Sequence, residues 1–220
     1  ANGLSRTAAQ RHWRGEHARL FSQLPGLLSY VQNHAVLDGN DDPVLDDPGF
    51  DIFAEVEFSS ARELDAVADS AQYREQILSD EKRLLDASRR TFLMTRRVHL
   101  SGTPPPNAFK LALFLSCPRV AVDRREGEGW SNDPRLRDPL AQCSMGYLVD
   151  SVGGPVPRAI DLVVQWYYRS LADSLQAYRK AEADWGNATS DGLRLEAATI
   201  VSEIEILPRW PSGAPERSLA

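Results

Sequence analysis

Hydrophobic periodicity along the 220 residues gives the element order α-β-β-α-β, a proline-rich break, and then β-x-β-β-α-β. The two halves also match each other. FDIFAEVEFSS (50–60) lies over IDLVVQWYYRS (160–170), and FLMTRRVHL (92–100) lies over TIVSEIEIL (199–207), at similar offsets. A weaker match sets Ser29-Tyr30-Val31 against Gly146-Tyr147-Leu148. Repeated grammar at one spacing predicts an α+β fold of two ferredoxin-like βαββαβ repeats. Each repeat is a four-stranded antiparallel sheet with its helices on one face, and the open faces cover one another as an α/β barrel within one chain. The expected boundaries are 1–100 for repeat 1, 101–108 for a linker, 109–207 for repeat 2 and 208–220 for a flexible tail.

Residues 5–24 read as an amphipathic helix with Ser5 as its N-cap and Ala9, Trp13, His17, Leu20 and Leu24 on one face. Pro25-Gly26 ends it. Four residues before Ser5 are too few for the opening strand of repeat 1, so that strand is missing or another segment fills its slot. LLSYVQNHAVL (27–37) alternates as a strand, and residues 38–49 form a polar loop rich in Asp, Pro and Gly. In FDIFAEVEF (50–58), Phe50, Ile52, Ala54, Val56 and Phe58 share one face, while Asp51, Glu55 and Glu57 share the other. Ser59-Ser60 caps a helix from Ala61 to Asp86, broken near Ser70, and residues 91–100 return to strand. Pro104, Pro105 and Pro106 supply no backbone donors, which makes 101–107 a linker. The second half reads as strands at 109–117, 141–151, 159–168 and 195–207 with a helix at 170–183. The Pro, Gly and Asp content of 118–139 argues against a long helix there.

Composition narrows the function classes. With 42% hydrophobic and 25% charged residues and a net charge of -6, the chain is ordinary for a globular protein. An acidic balance, pI about 5.3, argues against a duplex nucleic-acid binder, which needs a basic stripe for phosphates. No run approaches the roughly 18 apolar residues that span a bilayer, and no signal-peptide pattern opens the chain, so no membrane partner and a cytoplasmic location are expected. Cys117 and Cys143 suit a reducing compartment as buried small hydrophobes. The acidic run Asp38, Asp41, Asp42, Asp46 and Asp47 lacks EF-hand alternation and reads as a solvated loop. Zinc spacing, a phosphate-cradling Gly-rich loop and a Ser-His-Asp order are lacking too, and no metal or cofactor is expected.

One family pattern is present. His12-Trp13 and His17 in RHWRGEHARL, LPGLLSYVQN (24–33), and the strand-helix segment FDIFAEVEF-SSARELDAVADS resemble the EthD domain over about 95 residues. The second half has no HW…H equivalent and joins the resemblance through the duplication. What the resemblance implies is a dimeric α/β barrel holding a small organic molecule. The wider superfamily includes lactone isomerases, polyketide cyclases and decarboxylases, cofactor-free monooxygenases and haem-binding enzymes.

Four side chains are the candidate acid–base set: His17, Tyr30, His34 and Glu55. Strand alternation assigns Leu27, Val31 and Ala35 to the helix side and Tyr30, Gln32 and His34 to the barrel interior, where a facing strand adds Phe53, Glu55 and Glu57. Gln32, Phe53 and Glu57 are then substrate-binding candidates. The mirrored positions of the second half are Tyr147, Val149, Val163, Gln165 and Tyr167, of which Tyr147, Gln165 and Tyr167 are also binding candidates. Replacement of the carboxylates by an amide and a phenol points to one asymmetric site, in the first half. The competing reading of His17 is a hydrogen-bonded core histidine, and that of the strand set is a paired polar face. His12 falls with Glu16 and Arg19 on the polar face of a regular helix and is expected at the rim.

The resulting expectation is a cofactor-independent lyase or isomerase acting on a small polar cyclic or polyketide-like metabolite. The alternatives are a non-catalytic small-molecule binder auxiliary to a degradation pathway, and a haem-binding protein, through His17 or His34, or a cofactor-free monooxygenase. A monomer with a pseudo-dimeric barrel and a homodimer both fit the duplication.

Overall fold

A computed structural model describes residues 3–45, 50–117, 134–154, 159–186 and 193–208. Residues 209–220 of the expected tail and 118–133 of the irregular stretch 118–139 lie outside the described residues, as do residues 46–49 of the acidic loop. The chain divides into two compact units. Among the described residues, the first draws on the ranges 1–42, 52–87 and 203–220, and the second on 43–51 and 88–202.

In the first unit, Ser5 starts α1 (Arg6–His12) as expected, its Oγ accepting from the Ala8 N–H at 3.2 Å. The helix then changes pitch. Ala18 N–H reaches back five residues to the Trp13 carbonyl, so Trp13–His17 is a π turn before α2 (Ala18–Phe21) resumes. The chain reverses at Gly26, whose φ of 74° is left-handed and whose missing Cβ leaves room for the Glu63 carboxylate. Strands β1 (Leu27–Ala35) and β2 (Ile52–Phe58) pair antiparallel. Ser60 caps α3 (Ala61–Asp69), and the break expected near Ser70 is real, since Ser70 is extended. A second π turn, Tyr73–Ile77, leads into α4 (Leu78–Leu84), which packs against the π turn of the first helix. Leu24, Val67 and Ile77 form the apolar centre of this unit, with Leu20, Phe21, Phe58 and Tyr73 around it. The acidic loop does more than face water. Asp41 accepts hydrogen bonds from the Thr7 N–H and hydroxyl, which tie the loop to the start of α1.

The second unit contains β3 (Phe92–Gly102), β4 (Phe109–Ser116), β5 (Cys143–Gly153), β6 (Leu162–Tyr168), α5 (Leu171–Trp185) and residues 194–202 of β7 (Arg194–Leu207). Its strands run in the order β7-β4-β6-β5-β3, antiparallel throughout. The first four of these reproduce the ferredoxin-like order. Ser170 caps α5 through the Asp173 N–H at 3.1 Å, and Ala177, Ala181 and Trp185 face the sheet, with Trp185 against Trp166 at 5.9 Å between ring centres. Leu111, Leu113 and Leu115, each at 0% exposure, fill the layer beneath, and full burial of such side chains contributes about 1.5–3 kcal/mol apiece.

One grouping differs from the sequence repeat. The strand at 92–102, counted with repeat 1 in the sequence, pairs along its length with β5, while residues 203–207 of β7 group with the first unit.

Candidate functional site

The hairpin register shows which side chains share a face. Tyr30 lies opposite Val56, Gln32 opposite Ala54 and His34 opposite Ile52, whereas Ser29, Val31 and Asn33 lie opposite Glu57, Glu55 and Phe53. Tyr30 and His34 touch the helix: the Tyr30 ring packs on Phe21 at 4.8 Å and the His34 ring on Trp13 at 4.6 Å. The expected parity of β1 is therefore inverted. Tyr30, Gln32 and His34 face the helices, and Val31 faces the other way. Period two fixes alternation but not direction, and polar residues at 32 and 34 favoured an interior assignment. What permits them beneath a helix is hydrogen bonding.

Gln32 is the centre of that bonding. Its amide nitrogen donates to the Trp13 carbonyl and to the Tyr30 hydroxyl oxygen, both at 2.8 Å, and its carbonyl oxygen lies 3.0 Å from His34 Nε2. Because an amide oxygen can only accept, Nε2 of His34 carries the proton. The Trp13 carbonyl is the same group that accepts from Ala18, so the π turn and the strand meet at one oxygen. Burial lowers the His34 pKa to about 4, with the positive charge of Arg14 acting in the same direction. Burial raises that of Tyr30, against hydrogen bonds from Gln32 and Trp13, so Tyr30 stays a phenol.

His17, expected on the apolar face, is indeed buried, at 5% exposure. Its Nδ1 lies 2.9 Å from Oδ2 of Asp80 on α4, while His12 Nε2 lies 2.6 Å from Oδ1 of the same carboxylate. A carboxylate oxygen that bears no proton only accepts, so Nδ1 of His17 and Nε2 of His12 are the nitrogens that donate in these two bonds. Among the described residues, Nε2 of His17 has no partner. The rings of His17 and Phe21 are 5.7 Å apart, so one phenylalanine touches both His17 and Tyr30. Among the described residues, no group of three His, Cys, Asp or Glu donors is arranged to hold a metal ion.

Asp80 lies outside the candidate set, and a regular helix places His12 at the surface or rim. At about 3.6 residues per turn, positions 12 and 17 stand roughly 140° apart on a helix. The added residue of the π turn closes much of that angle. Two histidines five apart, on the helix that also carries Trp13, were the available signal.

Glu55 does not join His17, Tyr30 and His34. It sits on the opposite face of the hairpin, half-buried, where it accepts from Asn33 Nδ2 at 3.0 Å, and Phe53 and Glu57 share that face. Tyr147, Gln165 and Tyr167 lie in the second unit. There Tyr167 donates to the Gln165 carbonyl oxygen at 3.1 Å, Lys110 Nζ stands 5.3 Å from the Tyr167 ring centre, and Tyr147 packs beside Cys143 and Met145.

Residues 1–88, which contain every member of the His12–Asp80–His17 and Tyr30–Gln32–His34 sets, match the family model of the EthD domain. These residues form an EthD domain. Beyond it, the chain is similar to a solved protein described as anthrone oxidase-like. The two superpose at a TM-score of 0.60 and 9% identity over 94% of this chain and 91% of that one, which shows a shared fold. A Lactobacillus acidophilus NCFM protein with a provisional monooxygenase assignment aligns at a TM-score of 0.40 and 10% identity, covering 89% of this chain and 88% of its own. No curated protein matches. No helix among the described residues is long and apolar enough to cross a membrane.

The register also replaces one of the repeat correspondences. With β2 laid on β6, the residue opposite Val56 is Tyr30 and the residue opposite its counterpart Trp166 is Ser144. Tyr30, Gln32 and His34 of the EthD domain therefore correspond to Ser144, Gly146 and Leu148, not to Tyr147 and Val149. At these three positions the second unit does not repeat the Tyr-Gln-His set, and Trp166 puts its bulk on the partner strand instead.

Proposed function

We propose that the EthD domain of this chain is a cofactor-independent acid–base catalyst of the lyase or isomerase type, acting on a small polar cyclic or polyketide-like metabolite. One observation carries the reading: Asp80 holds the Nδ1–H of buried His17, and among the described residues Nε2 has no hydrogen-bond partner. His17 Nε2 takes a proton from a carbon activated by a neighbouring carbonyl, and the bonding pair moves onto the carbonyl oxygen. Asp80 stabilises the imidazolium so formed. Among the described residues the Tyr30 proton has no acceptor, so the phenol donates to the developing oxyanion. Each such contribution is worth about 10²–10⁴ in rate. The imidazolium returns the proton at a second carbon to isomerise the ring, or to a departing hydroxyl to dehydrate it.

The description of the similar solved protein suggests a probe. Anthrone, a tricyclic aromatic ketone, has an acidic ring CH₂ whose exchange with D₂O reports proton removal before any later step. Purified protein is expected to accelerate that exchange, and His17→Ala to abolish the acceleration. Simultaneous oxygen uptake would turn the same proton abstraction toward an oxidase outcome. If anthrone and related hydroxylated ring ketones bind without exchange or turnover, the domain is a ligand holder and the catalytic reading fails.

A further inference from the structure

His12 plays no part in the scheme above, yet it makes the shorter of the two bonds to Asp80, 2.6 Å against 2.9 Å for His17. We propose that His12 is a positioning residue: it locks the Asp80 carboxylate so that His17 is held in the Nδ1–H tautomer with Nε2 free. The inference rests on the acid–base reading for its purpose and on geometry for its content.

Three observations carry it. The carboxylate side chain is 6% exposed, so an oxygen without a donor would be a buried acceptor left unsatisfied. Rotation about the terminal torsion of an Asp side chain is soft, and one hydrogen bond does not fix it. Donors on both oxygens do, because any turn that lengthens one bond breaks the other. Finally, the chain departs from α-helical pitch between these two histidines, Ala18 N–H bonding to the Trp13 carbonyl. A regular helix would turn His12 away from a carboxylate that His17 faces. The π turn is thus the local device that directs two imidazoles at one acid, and His12, with 22% side-chain exposure, is the more exposed of the two.

The test is a spectrum of the tautomers. The chain has four histidines, so ¹⁵N-labelled imidazoles can be assigned one by one through long-range ¹H–¹⁵N correlation. In the unaltered protein His17 is expected as Nδ1–H and His12 as Nε2–H, and a His12 found as Nδ1–H overturns the proposal without any variant. In His12→Ala, His17 is expected to show a mixture of tautomers, while His34 keeps its Nε2–H signal as the sign of an intact fold. His12→Gln, whose amide N–H can reach the same oxygen, is expected to restore the single Nδ1–H form. A His17 that remains wholly Nδ1–H in His12→Ala refutes the positioning role. These readouts need no substrate, so a failure to find turnover would sink the catalytic reading and leave this one standing.

Discussion

Tyr30 and Ser144 hold the same place in their respective hairpins, opposite Val56 and Trp166. The bulk of each cross-strand pair sits on opposite partners, so the layer beneath the helices is filled in two different ways. Tyr30 is 1% exposed beside a smaller neighbour, and Tyr30→Ser should open a cavity costing about 3–5 kcal/mol in urea unfolding. Tyr30→Phe keeps the ring and removes the hydroxyl. It should cost about 1 kcal/mol for the lost acceptor of Gln32 and slow anthrone exchange about 10²-fold. Unchanged exchange in Tyr30→Phe would remove Tyr30 from the oxyanion role.

Gln32→Leu conserves size but strips three hydrogen bonds at once, those to Trp13, Tyr30 and His34. Its residue is 0% exposed, so water does not replace them. A loss of about 2–4 kcal/mol is expected in chemical denaturation. A loss below about 0.5 kcal/mol would mean that the chain of bonds contributes nothing to stability.

His34 should impose a pH dependence on stability. Its pKa falls from 6.5 to about 4 on folding, so between these values the unfolded chain binds more protons than the folded one. The contribution is complete above pH 6.5 and is lost as pH falls toward 4, at a slope of at most about 1.4 kcal/mol per pH unit. Unfolding midpoints measured at pH 7 and pH 5 should therefore diverge, and His34→Phe should flatten the difference. A wild-type midpoint independent of pH across that window would contradict the burial of a neutral His34.

Glu55→Gln separates the two faces of the hairpin. Because Glu55 pairs with Asn33 away from the helices, exchange should change by less than about twofold, within the effect of remote substitutions. A hundredfold loss would return Glu55 to the catalytic set.

Much of the fold was legible because it rests on local chemistry. Ser5 and Ser60 cap helices as their side chains suggest, and the break at Ser70 and the strand segments follow from periodicity. The site was half legible. His17 lies on the apolar stripe, but the face of Tyr30, Gln32 and His34 depended on partners that sequence does not display, above all the Trp13 carbonyl. Asp80 is 63 residues from His17, and nothing in its own helix marks it as their common partner. Pairing of the strand at 92–102 with β5 is likewise long-range, and a repeat alignment does not reveal which copy a strand joins.

The Asp80–His17 pair is tested most directly by Asp80→Asn. An amide can donate where the carboxylate only accepts, which favours the His17 tautomer whose Nε2 bears the proton. The rate of anthrone CH₂ exchange in D₂O should fall about 10²–10⁴-fold from wild type, with a folded protein verified by its circular dichroism. Exchange at the wild-type rate in a folded Asp80→Asn protein would contradict the assignment of His17, oriented by Asp80, as the base.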